Sequence, residues 1–162
     1  MPDFSEFPEV VSAGTGSARK YRLVASHFAV HGISTQAGSE PAMEFVPEKI
    51  AVYPIQRFTS MGQTRGKTTP VYSLQPDGPL AVPTGRVFVR MGSDRSFADH
   101  QHDFRDAGYE IDHAVPYAPN AGWLRSSSSS IAASLAGLDK LSSISGMEHV
   151  EPQMLRKAVR KR

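Results

Sequence analysis

The chain has no cysteine, which excludes disulfides, thiolate metal ligands and a thiol nucleophile together. It has one tryptophan. No stretch approaches the ~20 apolar residues that a bilayer-spanning helix needs, so no membrane partner is expected. The first ten residues, MPDFSEFPEV, carry acids and lack the apolar centre of a secretory leader. The compartment stays open on these grounds. Acids are also missing from the last seven positions, where Arg156, Lys157, Arg160, Lys161 and Arg162 supply five positive charges. Taking those five from the net +2 leaves −3 for the rest, so the pI near 9.0 belongs largely to this segment. A basic patch over a folded face would point to nucleic acid; a basic end segment does so much less, and nucleic acid is not the expected partner.

What is present describes an ordinary globular chain. Its 162 residues are 40% hydrophobic and 21% charged, enough to bury a real core in one domain or in one domain with an extension. Residues 1–84 are rich in Pro and Gly and carry short apolar bursts. KYRLVAS (20–26), MEFV (43–46), KIAVYP (49–54), TPVYSL (69–74) and PLAVP (79–83) each read as a short strand. GISTQAGSEP and TSMGQTRGKT between them are loop chemistry. This half is expected to be an irregular, strand-bearing extension.

Residues 85–155 follow a more regular grammar. RVFVR (86–90) alternates as a half-buried strand does. A helix should follow, capped by Ser93 or Asp94, with Phe97, Gln101 and Phe104 on one face and Gly108 at its end. YEIDHAV (109–115) alternates again, PYAPNAG is a turn, and WLRS (123–126) resumes as a strand. Beyond the serine run, Ile131, Leu135, Leu138 and Leu141 form a helical stripe that Gly146 closes. MEHVEP (147–152) is a last short strand. The order β-α-β-β-α-β predicts a ferredoxin-like α+β fold: a four-stranded antiparallel sheet with two helices on one face. The expected divisions are 1–84, 85–155 and a basic tail, 156–162.

This pattern resembles the propeptide domain of subtilisin-like serine proteases, a family that also includes free-standing inhibitors. The resemblance covers about 85–160. It rests on an RVFVR-type first strand, a helix ending in AGYEI, Gly122-Trp123 opening the third strand, SLAGLDKLSSISG in the second helix, and MEHVEPQ at the end. The family's usual acid after Val-Glu is replaced here by Pro152-Gln153. Residues 1–84 match nothing in that pattern.

The resemblance implies a function. The open sheet face would dock on a subtilisin-like serine protease, with Trp123, Glu148 and Glu151 on that face. The segment after the last strand would lie in the active-site cleft as a product does, through Gln153, Met154, Leu155, Arg156, Lys157, Ala158 and Val159. Main-chain hydrogen bonds and alternate side chains in pockets would hold it there. Inhibition is the expected activity, with folding assistance to the protease by mass action. The protease is either a separate chain or a further part of one precursor. Neither an enzymatic activity nor a cofactor is expected of this chain.

Other motifs have plainer readings. His100 and His102 stand two apart on a predicted helix, so they face different directions and suit no shared metal ion. His113 and His149 receive no role. The serine run lacks a nucleophile elbow, and Ser129 or Ser130 explains it as a helix cap. AGTGSAR (13–19) lacks phosphate-loop spacing and reads as a flexible terminus. Pro152 should aim the following residues away from the sheet. Glu148 and Glu151 suit partner helix N-termini, with plain solubility as the alternative. Two other functions fit the element order: an RNA-binding module, for which WLRSSSSS lacks the aromatic motif, and a small-molecule regulatory domain.

Overall fold

The computed structural model describes residues 3–32, 41–61 and 67–157. Among them run nine strands: β1 Val10–Ser12, β2 Lys20–His31, β3 Met43–Phe45, β4 Ile50–Pro54, β5 Lys67–Gln75, β6 Leu80–Met91, β7 Tyr109–Ala114, β8 Ala121–Ser126 and β9 Met147–Leu155. Helices are few and short: α1 Phe58–Met61, α2 Gln101–Asp106, α3 Ile131–Ala136 and α4 Leu138–Ser142. The strands join in the order β3-β4-β2-β5-β6-β8-β7, with β1 added to β2 and β9 added to β6. Every described pairing is antiparallel.

The expected ferredoxin-like α+β fold with an irregular extension is therefore corrected. The protein is mostly antiparallel sheet, and the half expected to be irregular is itself well-paired sheet. The apolar bursts of residues 1–84 do become strands, but they pair with one another across long separations instead of trailing from a separate domain. β2 is the hub: β5 runs along one side of it, from Lys20↔Gln75 to His31↔Lys67, while β1 and β4 take successive stretches of it. Phe28, Val30, Val52, Tyr53, Val71 and Tyr72 from these strands are buried. Removing such side chains from water supplies roughly 1.5–3 kcal/mol each, which is why this half holds together with α1 as its one short α-helix among the described residues.

β6 connects the two regions. PLAVP and RVFVR, expected as separate strands, are one strand crossing the 84/85 boundary. A register shift between Pro83 and Val87 accommodates Gly85, at φ 92°, so the strand bends without ending. Its first part pairs with β5 at Tyr72↔Ala81, and its second part with β8 at Phe88↔Trp123.

Helices α2, α3 and α4 cover one face of β6–β9. Val87, Val89, Leu124 and Val150 point into a core closed by Phe97, Phe104 and Leu141. Both helical segments are shorter than the sequence pattern implies. The first begins with a 3-10 turn at Ala98–His100 and carries no side-chain cap from Ser93 or Asp94. Phe97 and Phe104 are buried as expected, but Gln101 is exposed. The second is divided at Gly137, which packs against the Tyr109 ring, while the Tyr109 hydroxyl donates to the Ser134 carbonyl. Ser130 is the helix cap: its Oγ accepts from the Ala133 amide at 3.1 Å. Gly108 (φ 94°) closes the first segment as read from the sequence, whereas the second ends at Ser142 with Ser143 as its C-cap, and Gly146 (φ 86°) stands in the turn before β9 instead.

Candidate interaction site

On the face of β6–β9 away from the helices, Arg86, Arg90 and Arg125 are exposed and Phe88 and Trp123 are half-buried. Strand alternation dictates what it presents: Val87 and Val89 turn inward, so Arg86, Phe88 and Arg90 turn outward. Phe88 and Trp123 are register partners on β6 and β8, and both are half-buried. Their rings meet edge to face, with centroids 5.3 Å apart and planes at 63°, the geometry that aromatic quadrupoles favour. His113 from β7 stacks on Trp123 at 6.1 Å, and His149 from β9 lies 6.2 Å from Phe88. Four strands thus contribute one ring each to a continuous row.

Charges surround that row in pairs. Arg125 donates to Glu110 at 2.8 Å, Arg86 lies 3.5 Å from Asp112, and Arg90 lies 3.9 Å from Glu148. Asp112 also bonds the His113 ring and stands 3.8 Å from Arg125. His149 bonds Glu151 at 3.2 Å. A groove of about 250 Å³ opens beside the aromatic row, between Tyr21, Phe88, Trp123, Glu151, Met154 and Arg156. Burial raises the Tyr21 hydroxyl pKa, with Arg156 and Arg19 opposing and Glu151 reinforcing, so the phenol stays a neutral donor at the groove rim.

The sequence-predicted residues divide between this face and the end of the chain. Trp123 and Glu151 lie on the face; Glu148 alternates out of step with Glu151 along β9 but reaches Arg90. Gln153, Met154 and Leu155 do not lie beyond the last strand as expected, because β9 continues to Leu155. Leu155 pairs with Val82 and Met154 with Pro83. Met154 packs on the cluster of Val11, Tyr21 and Tyr72, and Leu155 on that of Ala29, Phe45 and Val71. Pro152 does not turn the chain away; it is buried within the strand, opposite Val87 at the edge of the register shift. A missing amide proton is tolerated at such an irregularity. Arg156 and Lys157 follow β9 and are exposed, while Ala158 and Val159 lie outside the described residues.

Sequence reasoning missed the two histidines of the aromatic row, because their placement depends on strand register. It also missed the hook at the outer edge of β9. AGTGSAR is not a flexible terminus: it joins β1 to β2, and its Thr15 bonds Val150. His100 and His102 share no ligand geometry. The His100 Nδ1 lies 2.9 Å from the Ser96 carbonyl, and His102 lies 3.5 Å from Asp106. Among the described residues no cluster of His, Asp and Glu suited to a metal ion occurs.

Compared with known proteins, the chain matches no family model, no curated protein and no solved structure.

Proposed function

We propose that the chain is a binding module that inhibits a subtilisin-like serine protease and assists its folding. The open face of β6–β9 docks on the protease, and the segment leaving β9 enters the active-site cleft in the manner of a product. The protease is supplied in trans or by the same precursor. The observation that carries this reading is the aromatic row, His113–Trp123–Phe88–His149, part-exposed on a sheet whose last strand leads directly into the basic segment. An aromatic centre within a charged rim is the composition of a protein-docking surface. Glu148 and Glu151 at its β9 side suit helix N-termini on the partner.

The same face also resembles a stacking platform for single-stranded RNA. The charge pairing favours a protein partner, since Arg86, Arg90 and Arg125 each have a carboxylate within 4.0 Å. Paired guanidinium groups release few counterions and attract phosphates weakly.

The test is residual activity of several purified subtilisin-like proteases titrated with the full chain, alongside their refolding yield from denaturant with and without it. Competitive inhibition of at least one, with a raised refolding yield, is expected. No inhibition and no complex on gel filtration across the set would overturn the proposal, and steeply salt-dependent RNA binding would install the alternative.

A further inference from the structure

Resting on that reading, we infer that the N-terminal sheet fixes where the basic segment leaves the fold, and that the cleft receiving it is lined by carboxylates. The end of β9 is held mainly by residues before position 85, with Leu135 of α3 completing one of the clusters involved. The Thr84 hydroxyl donates to the Gln153 Oε1 at 2.7 Å. Met154 and Leu155 pair with Pro83 and Val82. Their side chains pack on two different apolar clusters, that of Met154 joined by Leu135 of α3 and that of Leu155 built from β2 to β6. Beyond the strand, the Lys157 ammonium stands over the Phe45 ring, 5.3 Å from its centre, an attraction between a cation and the negative face of the ring.

The chain is therefore anchored as far as Lys157. An extended peptide alternates its side chains with a period of two and advances about 3.3 Å per residue. A fixed exit thus dictates which side chain meets which pocket, much as a strand register does. The docking of β6–β9 positions the exit relative to the cleft, and the N-terminal sheet sets the register.

Charge then names the chemistry of the cleft. Of the seven residues from 156 to 162, five are basic and none is acidic. Cations drawn out of water into a cleft need opposite charges there to offset desolvation. The partner chemistry that fits is a serine protease cleft with Asp or Glu at its substrate pockets, not an apolar one.

The experiment uses the full chain against two subtilisin-like proteases, one that cleaves after basic residues and one that cleaves after large apolar residues. The first should be inhibited more tightly, and the Arg156→Glu/Lys157→Glu pair should weaken that inhibition about tenfold or more, as should raising the salt to about 0.5 M. One glycine inserted between Lys157 and Ala158 should cost a similar factor by reversing the alternation. In the free chain, slow amide exchange at Leu155 is expected, with acceleration in Phe45→Leu. Protease binding that ignores charge, salt and the insertion overturns this inference while sparing the proposed function. Fast exchange at Leu155 overturns the anchoring directly. Failure to bind either protease removes the proposed function and the acidic cleft with it.

Discussion

Thr15 satisfies both backbone groups of Val150 from outside the sheet: its amide donates to the Val150 carbonyl at 3.2 Å, and its hydroxyl oxygen accepts from the Val150 amide at 3.0 Å. Among the described residues β9 pairs with β6 alone, and an unpaired edge invites association with another chain. A single residue of the β1–β2 loop closes that edge at its middle. Ser12 braces the loop by accepting from the Gly14 amide.

Thr15→Val keeps the shape and removes the acceptor. It should lower unfolding free energy by about 1 kcal/mol, read in urea, and speed amide exchange at Val150 while leaving β8 unchanged. Unchanged protection at Val150 would show that water replaces the hydroxyl without cost.

Gly122 lies in β8 directly beneath the Phe97 ring, where an added Cβ would overlap ring carbons. Gly122→Ala should force Phe97 out of its place between the sheet and Phe104 and destabilise the fold by about 1–3 kcal/mol. Thermal unfolding several degrees lower, with a changed near-ultraviolet aromatic signal, is the expected outcome.

These sites show what the sequence made legible. Gly108 at a helix end, the Ser130 cap and the individual strand segments follow from local chemistry, so each could be read one at a time. Pairing is non-local: Lys20 meets Gln75 only because β2 and β5 share a core, and nothing in either segment announces the other. That hid the sheet of residues 1–84 and made two strands of β6, since Thr84-Gly85 looks like a stop where it is a bend. Pro152 misled in the same way. It usually ends a strand, but here it stands where the ladder is already irregular. The aromatic row was half visible: Trp123 and Phe88 stand out by type, whereas His113 and His149 join them only through register.

His31, in the last position of β2, lies beside Thr69 with its Nε2 2.9 Å from the hydroxyl. Burial and then the Lys67 charge lower its pKa from 6.5 to about 4. A base whose folded pKa is depressed leaves the unfolded state binding the extra proton, so its contribution is fully present above about pH 6.5 and lost as pH falls toward 4. The loss should be on the order of 3 kcal/mol at most. Urea midpoints between pH 7 and 4 should fall in the parent chain and less steeply in His31→Gln.

Trp123 is half-buried, and its ring is held by Phe88 and His113 rather than by the core. Trp123→Ala should therefore leave most of the stability in place yet weaken protease binding about tenfold or more, as central aromatic anchors do. Arg90→Ala, at the rim beside Glu148, should change affinity much less. Equal effects of the two substitutions would mean that the aromatic row is not the centre of the contact.

The strand limits of β9 separate two truncations that a sequence-based design would treat alike. Removing 158–162 leaves β9 and the Lys157–Phe45 contact in place, so unfolding by urea should be unchanged while inhibition falls sharply. Removing 153–162 strips Met154 and Leu155 from two apolar clusters and their pairing with Pro83 and Val82. Losing two partly buried side chains of that size should cost about 2–4 kcal/mol, so this shorter chain should unfold at lower urea and lose affinity for both reasons. If removing 158–162 left inhibition intact, the contact with the protease would end at the sheet face and Lys157, and the basic segment would have no place in the cleft.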